Sequence, residues 1–230
     1  MEESKPKTFA ESISEYYTKA VHIVFGVILG QSFFNSASVL VPASNFVLNE
    51  KAFLKSYELI LIYFIIVTSW IGYFKSTEKT VYSGGRLGIA RFGTDFLILF
   101  LYYYLVILVT HESGTPGELF SNGLAAVFGA YLLWDILKYR ELPEEQRKAD
   151  NRTTGMITTL IWFGEFVAMA LTYYAITHFY SPPLTDVQIL YADSICTTIA
   201  IALVTWYRIV KWREPSGSID EALGKTTSGD

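Results

Sequence analysis

The sequence predicts an all-α integral membrane protein, a bundle of six transmembrane helices with both termini in the cytoplasm. The first reason is composition, because 51% of the 230 residues are hydrophobic and only 17% are charged, whereas soluble domains carry about 25% charged residues. The second reason is six long apolar runs, which are continuous rather than alternating and so predict helices instead of strands. The third reason is the distribution of Lys and Arg among the loops.

A helix needs about 20 mostly apolar residues to cross the hydrocarbon core of a bilayer. The runs that meet this length are residues 20–41, 53–74, 89–110, 120–138, 156–180 and 187–212. They form one predicted transmembrane domain over residues 1–213, for which the lipid bilayer is the first expected partner. Residues 214–230 are rich in Ser, Gly and Thr and are predicted to be a disordered cytoplasmic tail.

The first run carries several polar side chains in its second half. Gln31, Asn35 and Ser38 are spaced by four and then three residues, so they share one face of a helix. Gly26 and Gly30 form a small-xxx-small pair beside that face, and such pairs let a second helix approach closely. The stripe is therefore predicted to face protein or water rather than lipid.

The second and third runs each contain one acid. Glu58 is predicted near the outer surface, and Lys55 precedes it by three residues, so an interfacial ion pair is an alternative to a functional role. Asp95 is predicted near the inner surface, with Arg91 four residues earlier on the same helix face. We expect Arg91 and Asp95 to form an interfacial ion pair that fixes the helix end.

The third run also contains three consecutive tyrosines, Tyr102–Tyr104, beyond the predicted midplane. Tyrosine usually marks the membrane surface, so this position predicts hydroxyls bonded inside the bundle, with packing as the main role. The fourth run is the shortest, and it places Asp135 near the inner surface. Lys138 follows three residues later, and we expect these two residues to form a second interfacial pair.

The fifth and sixth runs contain the remaining acids. Glu165 is the acid predicted nearest to the midplane, with Thr158 and Thr172 on its helix face. Its alternative role is that of a protonated carboxyl that only ties helices together. Asp193 is predicted near the outer surface, or at a helix end if the sixth helix begins later. No Lys or Arg is predicted deep in any span, and Arg208 is assigned to the cytoplasmic end.

Loop charge supports this count of spans. Sixteen of the 18 Lys and Arg residues lie before span 1, between spans 2 and 3, between spans 4 and 5, or around the end of span 6, and the other two are Lys51 and Lys55. Positive residues concentrate in cytoplasmic loops, and six spans put these sixteen on one side. The sequence therefore predicts a multi-pass protein of the plasma (inner) membrane.

Catalytic signatures are missing from the sequence. It contains neither a G-x-S-x-G nucleophile turn nor an H-E-x-x-H zinc motif, and its three His residues are far apart. The one cysteine, Cys196, excludes a disulfide framework. No basic stripe indicates a nucleic-acid partner. We therefore predict a protein that is not an enzyme and that has no catalytic residue, metal site or cofactor.

Two hypotheses of function follow. The first is a channel-like or transporter-like protein that conducts a small ion, with a cation or a proton favoured, as a homo-oligomer. Its predicted path residues are Gln31, Asn35, Ser38, Glu165 and Asp193, and its secondary candidates are Glu58, Asp95 and Asp135. An ionisable residue within a span is a functional candidate by default. The alternative is a membrane-embedded sensor or anchor that recruits a cytoplasmic partner through residues 139–155 and the tail.

Overall fold

The structure is a computed structural model that describes residues 9–40, 50–79, 82–83, 85–111, 117–142, 152–180 and 184–213. It contains six α-helices and no strand within these residues. The helices are α1 (Phe9–Leu40), α2 (Glu50–Lys79), α3 (Arg86–His111), α4 (Gly117–Glu141), α5 (Arg152–Phe179) and α6 (Asp186–Arg213). Each is long and apolar enough to cross a membrane, which confirms the predicted all-α bundle of six spans.

Every helix begins before its predicted span. The largest difference is in α1, which begins at Phe9, eleven residues before the predicted start. Hydropathy marks only the part of a helix that lies in hydrocarbon, whereas backbone hydrogen bonds continue the helix through polar residues at its ends. In α1, the added residues 9–19 include Glu11, Glu15 and Lys19, so the added turns are mostly polar.

Five helices form a ring. Each of α2, α3, α4 and α5 packs on the next helix in the chain, and α6 closes the ring against α2. The first helix packs on α2 and α3, with Val21 and Phe25 as its buried contacts. The apolar core lies among these helices and includes Ile62, Leu99 and Phe128. Because lipid is as apolar as this core, close packing and polar contacts must hold the helices together.

Large apolar side chains also cover the outside of the bundle. Phe34, Leu171 and Trp206 are each more than half exposed. A soluble monomer rarely exposes so much apolar surface, so these side chains are placed for contact with lipid. The finding supports a multi-pass integral membrane protein.

An even number of spans places the start of α1 and the end of α6 on one side of the membrane. We name this side inner, following the distribution of Lys and Arg, and its cytoplasmic location stays a prediction, as does the identity of the membrane. Most of residues 139–155 and the whole tail, 214–230, lie outside the described residues. The hypothesis of a cytoplasmic partner at these segments, and the predicted disorder of the tail, are therefore also still predictions.

Candidate functional site

Polar side chains meet between the helices at three levels of the bundle. Each level joins residues from at least two helices and is named here by its position. The outer acid site contains Glu58, Asp193, Tyr173 and Cys196; the central tyrosine cluster contains Ser69, Tyr102, Tyr131 and Arg208; and the inner ionic cluster contains Tyr82, Arg91, Asp95 and Glu141.

The outer acid site brings two carboxyl groups together. Glu58 of α2 is 1% exposed and Asp193 of α6 is 2% exposed, and the two groups interact electrostatically. The Tyr173 hydroxyl of α5 donates a hydrogen bond to Asp193 Oδ1 at 2.5 Å. In contrast, neither carboxylate oxygen of Glu58 meets a hydrogen-bond donor among the described residues. Asp193 thus has a hydrogen-bond donor as a partner, while Glu58 is buried with no donor among the described residues.

The start of α4 closes this site from another side. A Cβ atom at Gly117 would overlap the Tyr173 hydroxyl and would lie 2.7 Å from Asp193 Oδ1. Only glycine permits this close approach. One turn further along α4, the Ser121 hydroxyl lies 3.6 Å from the Cys196 thiol. Four helices therefore enclose the two acids.

The energy of an isolated charge limits what Glu58 can do. Burying an unpaired carboxylate costs on the order of several kcal/mol, because the interior offers no water to replace its hydration. Two forms avoid this cost: a neutral carboxylic acid and a carboxylate that holds a cation. Both forms involve the binding of a positive ion, so the outer acid site has the chemistry of a cation or proton site.

The central tyrosine cluster lies closer to the inner side. The hydroxyls of Tyr102, Tyr131 and Ser69 form a triangle, with 2.5 Å between the two tyrosines and 2.6 and 3.0 Å to Ser69. Nη2 of Arg208 donates to the Tyr131 hydroxyl at 3.0 Å, and the guanidinium lies 5.3 Å from the Tyr207 ring centroid. This arrangement joins α2, α3, α4 and α6.

The orientation of the Arg208 side chain differs from that expected of a basic residue at the cytoplasmic end of a helix. Arg208 is 8% exposed and directs its guanidinium into the bundle instead of to the inner surface. Long side chains at a helix end usually reach toward water. Here the Tyr131 hydroxyl and two tyrosine rings provide polar and cation–π contacts that hold the charge inside.

The inner ionic cluster contains a fully buried ion pair. Arg91 is 0% exposed and its Nη1 lies 2.7 Å from Glu141 Oε2 of α4. Asp95 accepts a hydrogen bond from the Tyr82 hydroxyl at 2.5 Å, and the Arg91 guanidinium lies 4.4 Å from the Tyr82 ring centroid. Arg91 and Asp95 are therefore parts of a buried interhelical cluster in which Arg91 pairs with Glu141, and their expected interfacial depth stays a prediction.

Hydrogen bonds hold the connection between α2 and α3 against this cluster. The Tyr82 backbone N–H donates to Ser14 Oγ at 3.0 Å, and Ser83 donates to Glu141 from both its backbone N–H and its hydroxyl. A Cβ atom at Gly88 would overlap the Ser83 carbonyl oxygen, so glycine is required there. Burial and the adjacent Asp95 carboxyl raise the pKa of the Tyr82 phenol, which keeps Tyr82 a donor.

Asp135 forms a separate contact among three helices. Its Oδ2 accepts a hydrogen bond from the Thr159 hydroxyl at 2.5 Å and lies 3.4 Å from Lys211 Nζ. Lys138, its expected partner, donates to Ser76 of α2. Asp135 thus ties α4 to α5 and α6, and it lies outside the three clusters.

The predicted stripe of α1 is not part of this interior. Gln31 is exposed, and its Nε2 donates to Asn35 Oδ1 at 3.3 Å. Asn35 is half-buried and its Nδ2 lies 3.5 Å from the Tyr103 hydroxyl. The side chain of Ser38 lies outside the described residues. Within the described part of α1, the stripe therefore runs along the edge of the bundle.

Glu165 is also exposed, on the face of α5 that points away from the helix ring. The helix α5 packs on α4 and α6, whereas α1 packs on α2 and α3. Glu165 and Gln31 therefore occupy different parts of the lipid-facing surface of the bundle. Among the predicted path residues, Asp193 alone belongs to the outer acid site, where a secondary candidate, Glu58, joins it. Another secondary candidate, Asp95, belongs to the inner ionic cluster.

Sequence reasoning missed Tyr173, Tyr131, Arg208 and Glu141. The available signal was the occurrence of tyrosines away from the membrane surface, which was recognised only for Tyr102–Tyr104. Arg208 and Glu141 lie near helix ends, where charged residues are ordinary, so their sequence positions gave no signal. Their inward orientation depends on helix packing.

No group of three or more His, Cys, Asp and Glu side chains able to hold a metal ion occurs in the described ranges. The chemistry available to the interior is therefore that of buried carboxyls, hydroxyls and guanidinium groups. Comparison of the whole chain with family models, with curated proteins and with solved structures found no match.

Proposed function

We propose that this protein carries a small cation, a class that includes the proton, across the membrane through the interior of its own helix ring. The observation that carries the proposal is the buried Glu58 carboxyl beside Asp193, with no donor within the described residues. An unpaired acid inside a membrane bundle is costly to maintain. Binding of a positive ion removes that cost, so a site of this kind is suited to loading and releasing one.

The apolar stretch below Glu58 favours a carrier over an open pore. Between Glu58 and Ser69, the buried side chains of α2 are apolar up to Thr68: Leu59, Leu61, Ile62, Ile65 and Ile66. The helix rises about 16 Å between Glu58 and Ser69. Between Glu58 and Thr68, α2 offers a hydrated ion one polar side chain, the half-buried Tyr63, whose hydroxyl lies 2.8 Å from Ser36 Oγ of α1. Passage would therefore need a rearrangement of the helices.

Arg208 supports the same choice. A guanidinium stays protonated in proteins, and a monovalent cation about 8 Å away would be repelled by ~2 kcal/mol at an effective dielectric constant of about 20. Such a charge opposes free conduction of cations through the centre. A carrier is affected less by this repulsion, because its helices move between the steps in which the ion is loaded and released.

Homo-oligomer formation is a separate part of the proposal. Gln31 and Glu165 place polar groups on faces that would otherwise contact lipid, which cannot form hydrogen bonds with them. Nothing lies within 4 Å of the positions that Cβ atoms would take at Gly26, Gly30 and Gly164. These faces are open to close approach by a second copy, although the interior path does not require one.

The test compares ion uptake by proteoliposomes containing wild-type protein, Glu58→Gln or Glu165→Gln. The two variants make the same chemical change in a span, one inside the ring and one on its outer face. We expect Glu58→Gln to lower uptake at least about tenfold, since it removes the ionisable group of the interior, while Glu165→Gln stays within about twofold. Loss of uptake in Glu165→Gln alone would instead indicate a path between copies. Absence of uptake of every cation by the wild type would refute the proposal.

A further inference from the structure

We infer that the ion bound at the outer acid site is a proton, carried by Glu58 as a neutral carboxylic acid. This inference rests on the transport function proposed above and narrows its substrate to one ion. It follows from the space and the ligands around the Glu58 carboxyl.

Glu58 has neither the room nor the ligands that a metal cation needs. Both of its carboxylate oxygens are closed off from solvent, and the flanking side chains of Leu54, Leu59 and Ile62 are buried and apolar. Hard cations such as Ca²⁺ take about six to eight oxygen ligands, yet Glu58 and Asp193 belong to no group of three His, Cys, Asp and Glu side chains able to hold a metal ion in the part of the chain that the structure describes. A proton needs a single carboxylate oxygen and no cavity.

The surrounding ionisable groups come from four helices. Those that influence the site are Lys55 of α2, Glu118 of α4, Tyr173 of α5, and Asp193 and Cys196 of α6. Lys55 lies one turn nearer to the outer end and is half-buried. Two adjacent carboxyls in a dry site do not both hold a charge easily.

The hydrogen bonds decide which acid keeps the proton. Asp193 accepts the Tyr173 hydrogen bond at 2.5 Å, which favours a carboxylate at Asp193, while Glu58 has no donor among the described residues. Glu58 is therefore the neutral member of the pair. Release breaks its O–H bond and passes the proton to a water molecule that reaches the site, leaving a carboxylate; loading reverses this step.

Infrared spectroscopy tests the protonation of Glu58 without any transport. The protein is measured in lipid at neutral pH, in a Glu165→Gln background that removes the acid predicted nearest to the membrane midplane. We expect a carbonyl band of a protonated carboxylic acid that disappears on adding Glu58→Gln and persists on adding Asp193→Asn. If Glu58→Gln removes no such band, Glu58 is ionised and the inference is overturned.

Ion flux tests the substrate. Proteoliposomes contain a pH-sensitive dye, and parallel samples receive radioactive Na⁺ or Rb⁺ under the same imposed membrane potential. We expect proton movement that Glu58→Gln lowers at least about tenfold, with no uptake of either metal cation. Uptake of Na⁺ or Rb⁺ without proton movement would overturn the proton inference and leave cation transport standing. Absence of all three fluxes would reject both.

A conservative variant guards against misfolding of Glu58→Gln. Glu58→Asp keeps the carboxyl group and shortens the side chain by one methylene. We expect it to keep the infrared band of a protonated acid and to retain proton movement at a reduced rate. If Glu58→Asp folds, as judged by its elution as a single species, and shows neither the band nor proton movement, the inference is overturned.

Discussion

The hydroxyl of Tyr173 orders one of the two acids of the outer acid site. It donates to Asp193 Oδ1, and Gly117 leaves just enough space for it. Since the hydroxyl holds Asp193 in one orientation, it also fixes the position of the carboxyl that interacts electrostatically with Glu58. At the scale of residues, the hydrogen bond from Tyr173 distinguishes Asp193 from Glu58, which has no donor among the described residues.

Tyr173→Phe removes this donor and keeps the ring. We expect a loss of about 1–3 kcal/mol in the free energy of unfolding, because a buried acceptor of Asp193 loses its partner. The measurement is unfolding of the purified protein in detergent, with Tyr174→Phe as the control, since Tyr174 is 41% exposed whereas Tyr173 is 7% exposed. Equal stability of the two variants would show that the Asp193 contact contributes little.

Glycine positions give a second test at this scale. Gly117→Ala adds a Cβ atom that overlaps the Tyr173 hydroxyl, whereas Gly164→Ala adds one where nothing lies within 4 Å. We expect Gly117→Ala to destabilise the protein by about 1–3 kcal/mol through overpacking, with Gly164→Ala within about 0.5 kcal/mol of wild type. Thermal unfolding of both variants measures the difference. A stable Gly117→Ala variant would contradict the close approach of α4.

At the scale of helices, α3 and α4 are joined by the pair Arg91–Glu141, and the same glutamate holds Ser83 in the preceding connection. A buried pair contributes little net stability when intact, but its rupture leaves one charge unpaired. The pair therefore fixes the register of α3 against α4, together with the connection that follows α2.

Glu141→Gln should lower the free energy of unfolding by about 3–5 kcal/mol, because it leaves the Arg91 guanidinium buried without its carboxylate. The double variant Arg91→Met, Glu141→Gln should lose less than the sum of the two single variants, since each single variant already removes the direct contact between the two residues. Unfolding of the four proteins forms a double-mutant cycle. Additive losses would contradict a direct coupling between these two residues.

At the scale of the whole molecule, the polar groups are divided between the interior of the helix ring and its lipid-facing surface. The interior holds the three clusters, while the outer surface holds Gln31 and Glu165 among apolar side chains. The interior groups belong to the proposed carrier. The outer groups belong to the proposed contact between copies.

Gln31→Leu should weaken that contact. An interhelical hydrogen bond in a membrane contributes about 1 kcal/mol, which corresponds to a roughly fivefold rise in the dissociation constant of the oligomer. The oligomeric state is measured in detergent over a range of protein concentrations. Leu171→Ala, on the exposed apolar face of α5, is the control. If Gln31→Leu and wild type form the same oligomers, the face of α1 is no interface.

The sequence alone determined the six helices and their relative direction. A bilayer imposes a fixed apolar length on every span, and this requirement is local, so it can be recognised in each segment separately. The acidic candidates were also found this way, because an ionisable residue within a span stands out in its own segment. Glu58, Asp95 and Asp193 were named for this reason.

Only the tertiary structure decided which of these residues meet. Glu58 and Asp193 lie on α2 and α6, and their encounter depends on how the ring closes and how each helix is rotated about its axis. The same rotation turns Arg208 inward and Glu165 outward, although sequence position suggested the reverse. Helix rotation is fixed by the fit of side chains between neighbouring helices, and that fit involves residues far apart in the chain.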